Sequence, residues 1–430
     1  MEELPLELVQ RVFAHLDLAS IRNAALSCRT FLDAFKSAEV VITSEILLRQ
    51  IDLSVLPEAI LVQKSSKLGK HSTDQAIQFA QDHLRSRAPA PTQWRLVDAL
   101  PLERFHRYVD WFANLYSAEA IGTQPRLLAL GKPSHTELLR FQRAFYRFQL
   151  YCNVVGSRAS EPQEMRDMFF SHFAAWENEQ LACVYEYLMR VIATPFNCLV
   201  EYDITWGSMA IPYIDCHFSN YGQYILSEGL EKLYHVSMAW SYEDWHALLS
   251  RGEDKFDEPS FSDSFLYNGL QYGANVYPIY GETLSELDDE DRQEVVGSPF
   301  YDDPDRGPAS IWEWVHKDRI PGALVGEIRM RLHRQWAYTF WDFLRLESAG
   351  LLKDPSISGE GPVTELALEE YSTPSRLDNL KLSQFLRKKV WESGGTGRWD
   401  QNPWHAPSRD STPVYQPQSL AQARKFLQGF

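Results

Sequence analysis

Several cysteines and a histidine are the first candidates for chemistry in this chain. Cys183, Cys198 and the adjacent Cys216 and His217 have side chains that can bind a transition metal. Common zinc sites, however, draw two ligands from a short Cys-x-x-Cys or similar pair, and no such pair occurs here. We therefore expect no metal site and no cofactor.

A second candidate is a calcium-binding loop that would begin at Asp302. Gly307 and Glu313 then fall at the sixth and twelfth places of the loop, where calcium loops carry glycine and a bidentate glutamate. Pro304 and Arg306 occupy the third and fifth places, which must supply oxygen ligands. The match is therefore incomplete, and no calcium site is expected.

The remaining catalytic patterns are also incomplete. The glycine-rich segment 394–397 is not followed by the Lys-Ser/Thr pair of a phosphate-binding loop, and Gly-x-Ser-x-Gly is absent. His333 and Asp342 are nine residues apart in one predicted helix, which places them on different turns. We expect solvated or capping roles for this pair, and we predict no catalytic residue and no enzymatic activity.

Composition and charge narrow the possible functions. The 430 residues, of which 44% are hydrophobic and 13% aromatic, are enough for a small module and one large domain. A net charge of −16 without a basic block disfavours nucleic-acid binding. The cysteines are odd in number and scattered, which is unlike a secreted disulfide framework, and no basic segment precedes an apolar stretch as in a secretory signal. The sequence also lacks an apolar 20-mer that could span a membrane. We therefore expect the protein in the cytosol or the nucleus.

The elements that could position a functional surface begin at the N-terminus. Pro5 suits the first position of a helix, in which Leu8, Val12 and Leu16 repeat every four residues. Asp17 or Ser20 can cap a second helix, whose apolar residues recur every three or four positions over 21–35. We therefore predict a helical hairpin.

This hairpin needs a partner surface. Fewer than about 40 residues cannot enclose a core alone, so its apolar side chains must pack on the rest of the chain or on another protein. Periodicity does not choose between the two. The order of residues does, because it resembles the F-box motif, although Phe31 replaces the tryptophan usual in that family. The matching positions are Leu4-Pro5, Glu7-Leu8, Val12-Phe13, Leu16-Asp17, Ser20-Ile21 and Cys28-Arg29.

The resemblance implies a partner. F-box hairpins dock on the Skp adaptor of Skp–cullin–F-box ubiquitin ligases, and Arg29 at its matched position could pair with the acidic adaptor or cap and solvate the hairpin. The chain would then be a substrate-recognition subunit that binds the adaptor, and through it the cullin ligase, and captures an unknown protein substrate. The alternatives are an adaptor-binding scaffold or, least favoured, a tethered enzyme. The implied adaptor contacts are Leu4, Pro5, Leu8, Val12, Phe13 and Leu16.

The rest of the chain is predicted to be all-α. We expect an F-box module with its helical extension at 1–68, an irregular helical domain that binds the substrate at 69–392, and a Gly/Pro-rich tail with a short terminal helix at 393–430. The sequence has no repeat with a period of about 20 to 50 residues, so we do not expect a leucine-rich or propeller receptor. Segment 331–342 resembles a helix of uncharacterised fungal F-box proteins.

Apolar periodicity and capping signals define the helices of the large domain. One begins at the capping box of Ser134 and Glu137, and a long Gly- and Pro-rich loop region is expected over 252–307. Trp399 and Trp404 in the tail are expected to pack within the molecule. Other predicted helices cover 162–175, 177–193, 219–238, 242–250 and 323–347.

Overall fold

The computed structural model describes most of the chain up to residue 357. The described residues form helices, turns and connecting segments without a β-strand, so the all-α prediction is confirmed. No helix in this part of the chain is long and apolar enough to cross a membrane. The tail at 393–430, with both tryptophans, lies outside the described residues. These are 4–68, 73–84, 91–156, 163–202, 220–249, 265–270, 282–319 and 328–357, together with 385, 386, 388, 389 and 392.

Three helices form the N-terminus: α1 (Leu6–Ala14), α2 (Leu18–Leu26) and α3 (Arg29–Gln50). Both α1 and α2 pack against α3. The predicted two-helix hairpin is wrong in one respect, because the second helix ends before Cys28. The extended backbone of Cys28 begins a new helix, and its Sγ accepts a hydrogen bond from the N–H of Phe31 at 3.4 Å.

The two helix starts at the N-terminus are set by Pro5 and Asp17. Pro5 precedes the first helical residue, and its carbonyl accepts hydrogen bonds from the N–H groups of Leu8 and Val9. Asp17, and not Ser20, caps α2, since Oδ1 of Asp17 accepts from the N–H of Ser20 at 2.6 Å. That hydrogen bond lowers the pKa of Asp17.

The next helices join the N-terminus to the body. The helix α4 (Leu56–Ser65) packs across α8 (His135–Val154), and α3 packs against α6 (Leu96–Thr123). The predicted capping box is present at the start of α8, where Ser134 and Glu137 bond each other's backbone N–H groups. Helices on both sides of residue 68 pack against each other, so these contacts do not mark a domain boundary there, and the boundary stays a prediction. The helices are α4 (Leu56–Ser65), α5 (Thr73–His83), α6 (Leu96–Thr123), α7 (Pro125–Leu128) and α8 (His135–Val154).

The middle of the chain surrounds one long helix, α10. The predicted helix 219–238 is wrong as a single element, because Gly229 has φ 86° and divides it in two. Ser241 caps the helix that follows through a hydrogen bond from the N–H of Asp244 to its Oγ. The helices are α9 (Gln163–Phe170), α10 (Ala175–Tyr202), α11 (Asn220–Ser227), α12 (Leu230–Met238), α13 (Tyr242–Leu249) and α14 (Leu266–Asn268).

The last described part is less regular than predicted. The single helix expected over 323–347 is wrong, because Ala337 adopts the left-handed conformation (φ 49°, ψ 52°) and a short 3-10 turn, Tyr338–Phe340, follows it. The expected loop region 252–307 includes an acidic helix at its C-terminal side. The helices are α15 (Asp289–Val296), α16 (Gly307–His316), α17 (Ile328–Gln335) and α18 (Phe343–Ser348).

The core of the body lies between α6, α8, α10 and the 3-10 turn. Tyr116 stacks on Tyr187 with ring centroids 4.3 Å apart, and Phe141 stacks on Phe340 at 4.1 Å. Since the turn carries Phe340 into this stack, the C-terminal segment is part of the same core as the helices before it.

Buried ion pairs reinforce these long-range contacts. The fully buried Arg334 of α17 bonds Oε1 of Glu179 and Oε1 of Glu186 on α10, each at 2.7 Å. Arg140 of α8 bonds Asp303 at 2.6 Å and Asp342 at 2.7 Å. Both arginines therefore tie residues after 300 to the central helices.

Candidate partner-binding surface of the N-terminal helices

The first helix has two apolar faces, and one of them is already buried. Val9 and Phe13 are 5% and 2% exposed. The ring of Phe13 meets the rings of Phe31 and Phe35 edge-on, with centroids 5.9 Å away in each case. This inner face attaches α1 to α3 and is not accessible to another protein.

The other side of α1 and the turn before it form an exposed surface, which we name the α1 apolar face: Leu4, Leu6, Leu8 and Val12. These side chains are 40%, 48%, 48% and 45% exposed, respectively. Single exposed leucines are ordinary, but neighbouring ones on a single short helix are typical of a surface that another protein covers.

The positions implied by the resemblance divide into three groups. Leu4, Pro5, Leu8 and Val12 are exposed. Leu16 is half-buried against the core. Phe13 is buried, so its side chain can hold the surface in place but cannot itself contact a partner.

Arg29 stands apart from these apolar positions. It is exposed at the first position of α3, directly after the capping Cys28. At this exposed position Arg29 can either solvate the start of α3 or pair with an acidic partner.

Two exposed apolar residues on α1 and α2 were not predicted from sequence. Leu6 is on the α1 apolar face, and Leu26 is 62% exposed at the end of α2. Both fall outside the four-residue spacing of Leu8, Val12 and Leu16 from which the apolar face of the first helix was predicted. A large apolar side chain at an otherwise polar position is the signal that could have found them.

Polar contacts hold α1 and its following turn rigidly on α3. The amide nitrogen of Gln10 donates to the carbonyl of Ala34 at 3.2 Å and to Oγ of Ser37 at 2.9 Å. Arg49 donates to the carbonyls of Ala14 and Leu16 at 2.6 and 2.8 Å. Since the middle and the C-terminal end of α1 are held on α3, the α1 apolar face has a fixed position before any partner binds.

The chemical candidates from the sequence lie elsewhere. Cys183 is fully buried, and burial raises the pKa of its thiol. Cys216 and His217 lie outside the described residues. Among the residues that the structure describes, no group of three or more His, Cys, Asp or Glu side chains could hold a metal ion.

His333 and Asp342, which the sequence places in one helix, belong to two separate elements: His333 is in α17, and Asp342 directly precedes α18. Burial, with the positive charge of Arg319, lowers the pKa of His333 to about 3, so its imidazole is neutral at physiological pH. Asp342 pairs with Arg140 and accepts from the hydroxyl of Ser134. Asp342 therefore has a structural role, and His333 is buried instead of solvated.

Comparison with known proteins finds the F-box domain family model at residues 1–43. No curated protein and no solved structure matches the chain. The matched segment covers α1, α2 and the first part of α3, which are the helices that carry the α1 apolar face. Residues 1–43 of this chain are therefore an F-box domain, and a helical body follows it.

Proposed function

We propose that this protein is the substrate-recognition subunit of a Skp–cullin–F-box ubiquitin ligase. Its F-box would present the α1 apolar face to a Skp-type adaptor, and its helical body would bind a protein substrate. The observation that carries the proposal is an F-box whose outward leucines and valine remain exposed in the folded chain.

The physical basis of the proposed docking is apolar burial. Covering a half-exposed leucine or valine contributes on the order of 1 kcal/mol, because apolar area is removed from water. The face is fixed on α3, so little conformational entropy is lost on binding. Leu4, Leu8 and Val12 are the proposed contacts among the predicted positions, with Leu6 added from the structure.

The proposed contribution to ubiquitin transfer is tethering. A subunit that binds the adaptor and the substrate at once converts their encounter into an intramolecular one. For short linkers this corresponds to effective concentrations in the millimolar range. The bond chemistry would then belong to a separate conjugating enzyme.

The test is a double substitution on the exposed face, Leu8→Asp with Val12→Asp. It places two carboxylates where apolar contacts are proposed, so capture of a purified Skp adaptor should fall at least about a hundredfold in affinity. Both positions are exposed, so helical content by circular dichroism should stay unchanged. Affinity is measured by calorimetry with the full chain.

The matched control is Val97→Asp with Leu128→Asp, because these side chains are also exposed but lie on the body. This control should bind the adaptor as the parent chain does. Unchanged capture by the Leu8/Val12 variant would refute the docking surface. Adaptor capture without co-purification of the cullin would favour the scaffold alternative.

A further inference from the structure

A cleft of about 860 Å³ opens where the N-terminal helices meet the body. We name it the acidic cleft. Its walls come from the start of α2, the end of α3, and from α6, α8 and α12. The residues used below are Asp17, Glu103, Asp110, Trp111, Gln142 and Tyr234.

The charge of the cleft is negative. Asp17, Glu103 and Asp110 supply carboxylates, whereas Arg107 is the one cation among the lining residues that the structure describes. Arg107 pairs with Glu103 at 3.3 Å, and its side chain is mostly exposed. With three carboxylates and one guanidinium, the lining therefore has a net charge of about −2.

Histidine does not change this balance. His106 is buried and hydrogen-bonded through Nδ1 to the hydroxyl of Tyr146 at 2.9 Å. Burial lowers its pKa, so the imidazole is neutral near pH 7. Burial raises the pKa of Glu103, which Arg107 opposes and Asp17 reinforces. An additional cation in the cleft would stabilise these carboxylates.

The acidic cleft also contains a buried acceptor without a donor. Gln142 is 5% exposed, and its Nε2 donates to Oδ1 of Asp110 at 2.9 Å, which fixes the orientation of the amide. Oε1 of Gln142 has no hydrogen-bond partner within the described residues, and neither has Oε1 of Gln50, which lines the cleft from the end of α3. Such acceptors cost about 1–3 kcal/mol each unless a donor reaches them.

Aromatic rings also line the cleft. Tyr234 of α12 packs on Tyr108 and Trp111 of α6, with centroids 4.9 and 5.1 Å apart. All three rings are half-buried and line the cleft. The face of an aromatic ring attracts a cation, and a planar guanidinium also stacks on it.

We propose that the acidic cleft binds an arginine side chain of a peptide segment in the protein substrate. Arginine is the side chain that fits the walls, because its guanidinium is planar and carries five N–H donors for the carboxylates and the unpaired amide oxygens. The net charge of −16 favours a basic partner in the same sense. That this partner is a ubiquitination substrate rests on the proposed function; the peptide binding does not.

The experiment measures fluorescence polarisation of a fluorescein-labelled, end-blocked Gly-Ser-Gly-Arg-Gly-Ser-Gly peptide with the full chain. Asp110→Asn removes one carboxylate and should weaken binding at least about tenfold. Asn114→Arg, at an exposed position of the cleft, should weaken it similarly, because the new guanidinium occupies the site. The matched control Asp98→Asn, on the exposed first turn of α6, should stay within about twofold.

Ligand controls separate the chemistry. A citrulline peptide has the same shape without the charge and should bind at least about tenfold more weakly, and a lysine peptide should also bind more weakly. Equal binding of the citrulline or lysine peptide would overturn the assignment, as would parent-like affinity of both Asp110→Asn and Asn114→Arg. Adaptor capture is measured in parallel, so failure of peptide binding is distinguishable from failure of the proposed function.

Discussion

Leu8 and Phe13 show how neighbouring residues of one helix take different roles. Leu8 points to solvent from α1, whereas Phe13 is covered by the rings of Phe31 and Phe35. The resemblance to the F-box motif implied that both contact the adaptor. Their different burial separates a residue that stabilises the F-box from one proposed to bind the adaptor.

Alanine substitutions distinguish these two roles. Phe13→Ala should destabilise the N-terminal helices by about 3–5 kcal/mol, because it leaves a cavity among aromatic rings. Leu8→Ala should change stability by less than about 0.5 kcal/mol, because the side chain is exposed. Hydrogen exchange of the α3 backbone amides in the full chain measures both effects. Equal protection in the two variants would contradict this assignment.

Helix ends in this protein are set by backbone conformation more than by apolar periodicity. Gly229 separates α11 from α12 with φ 86° and ψ −179°, a region open to glycine. A Cβ at this position would lie 2.5 Å from Oε1 of Gln149, the atom that accepts the first N–H of α12 from Leu230 at 2.8 Å. The break is therefore supported by a contact as well as by the dihedral angle.

Gly229→Ala should lower the free energy of unfolding by about 1–3 kcal/mol, since it strains the backbone and displaces the amide of Gln149. Gly131→Ala is the matched control, because Gly131 also has a positive φ, 80°, but nothing within 4 Å of the added Cβ. Urea unfolding of the full chain compares the two. The control should show the smaller loss, and an equal loss would mean that the contact with Gln149 contributes nothing.

The same elements show what could be predicted from sequence. Periodicity and the capping box were sufficient for α8, because local spacing specifies an amphipathic helix and its start. They were insufficient at Ala337, which adopts the left-handed conformation among buried aromatic residues although no glycine or proline marks the break. The acidic cleft was also not predicted, because its walls join residues such as Asp17 and Tyr234 that are distant in sequence.

At the scale of the whole molecule, Arg140 connects the central helices to the C-terminal segment. It is 2% exposed and bonds both oxygens of Asp303, at 2.6 and 3.0 Å, as well as Asp342 and the carbonyl of Phe340. Burial opposes the charged form of Arg140, but its carboxylate partners outweigh burial and raise its pKa. Such a network stabilises only when every member is paired.

Asp303→Asn tests this connection, because it removes one charged partner of a buried guanidinium. We expect a loss of about 2 kcal/mol in the free energy of unfolding at pH 7, which is typical of hydrogen bonds to charged groups. Asp302→Asn is the matched control, since the neighbouring carboxylate is exposed. It should change the urea midpoint little. An equal loss in both variants would show that the ion pair with Arg140 adds no stability.

The pH dependence gives a second readout of the same pair. Burial would raise the pKa of Asp303, but the hydrogen bonds and charge of Arg140 outweigh it and lower that pKa below its usual value. A carboxyl whose pKa is lower in the folded chain adds stability above its unfolded pKa of about 3.9 and loses it as the pH falls through the folded pKa. The stability difference between the parent chain and Asp303→Asn should therefore be constant from about pH 7 to 5 and shrink below about pH 4. Urea unfolding at each pH measures it. A difference that grows on acidification would contradict the pairing, because protonated Asp303 can no longer neutralise Arg140.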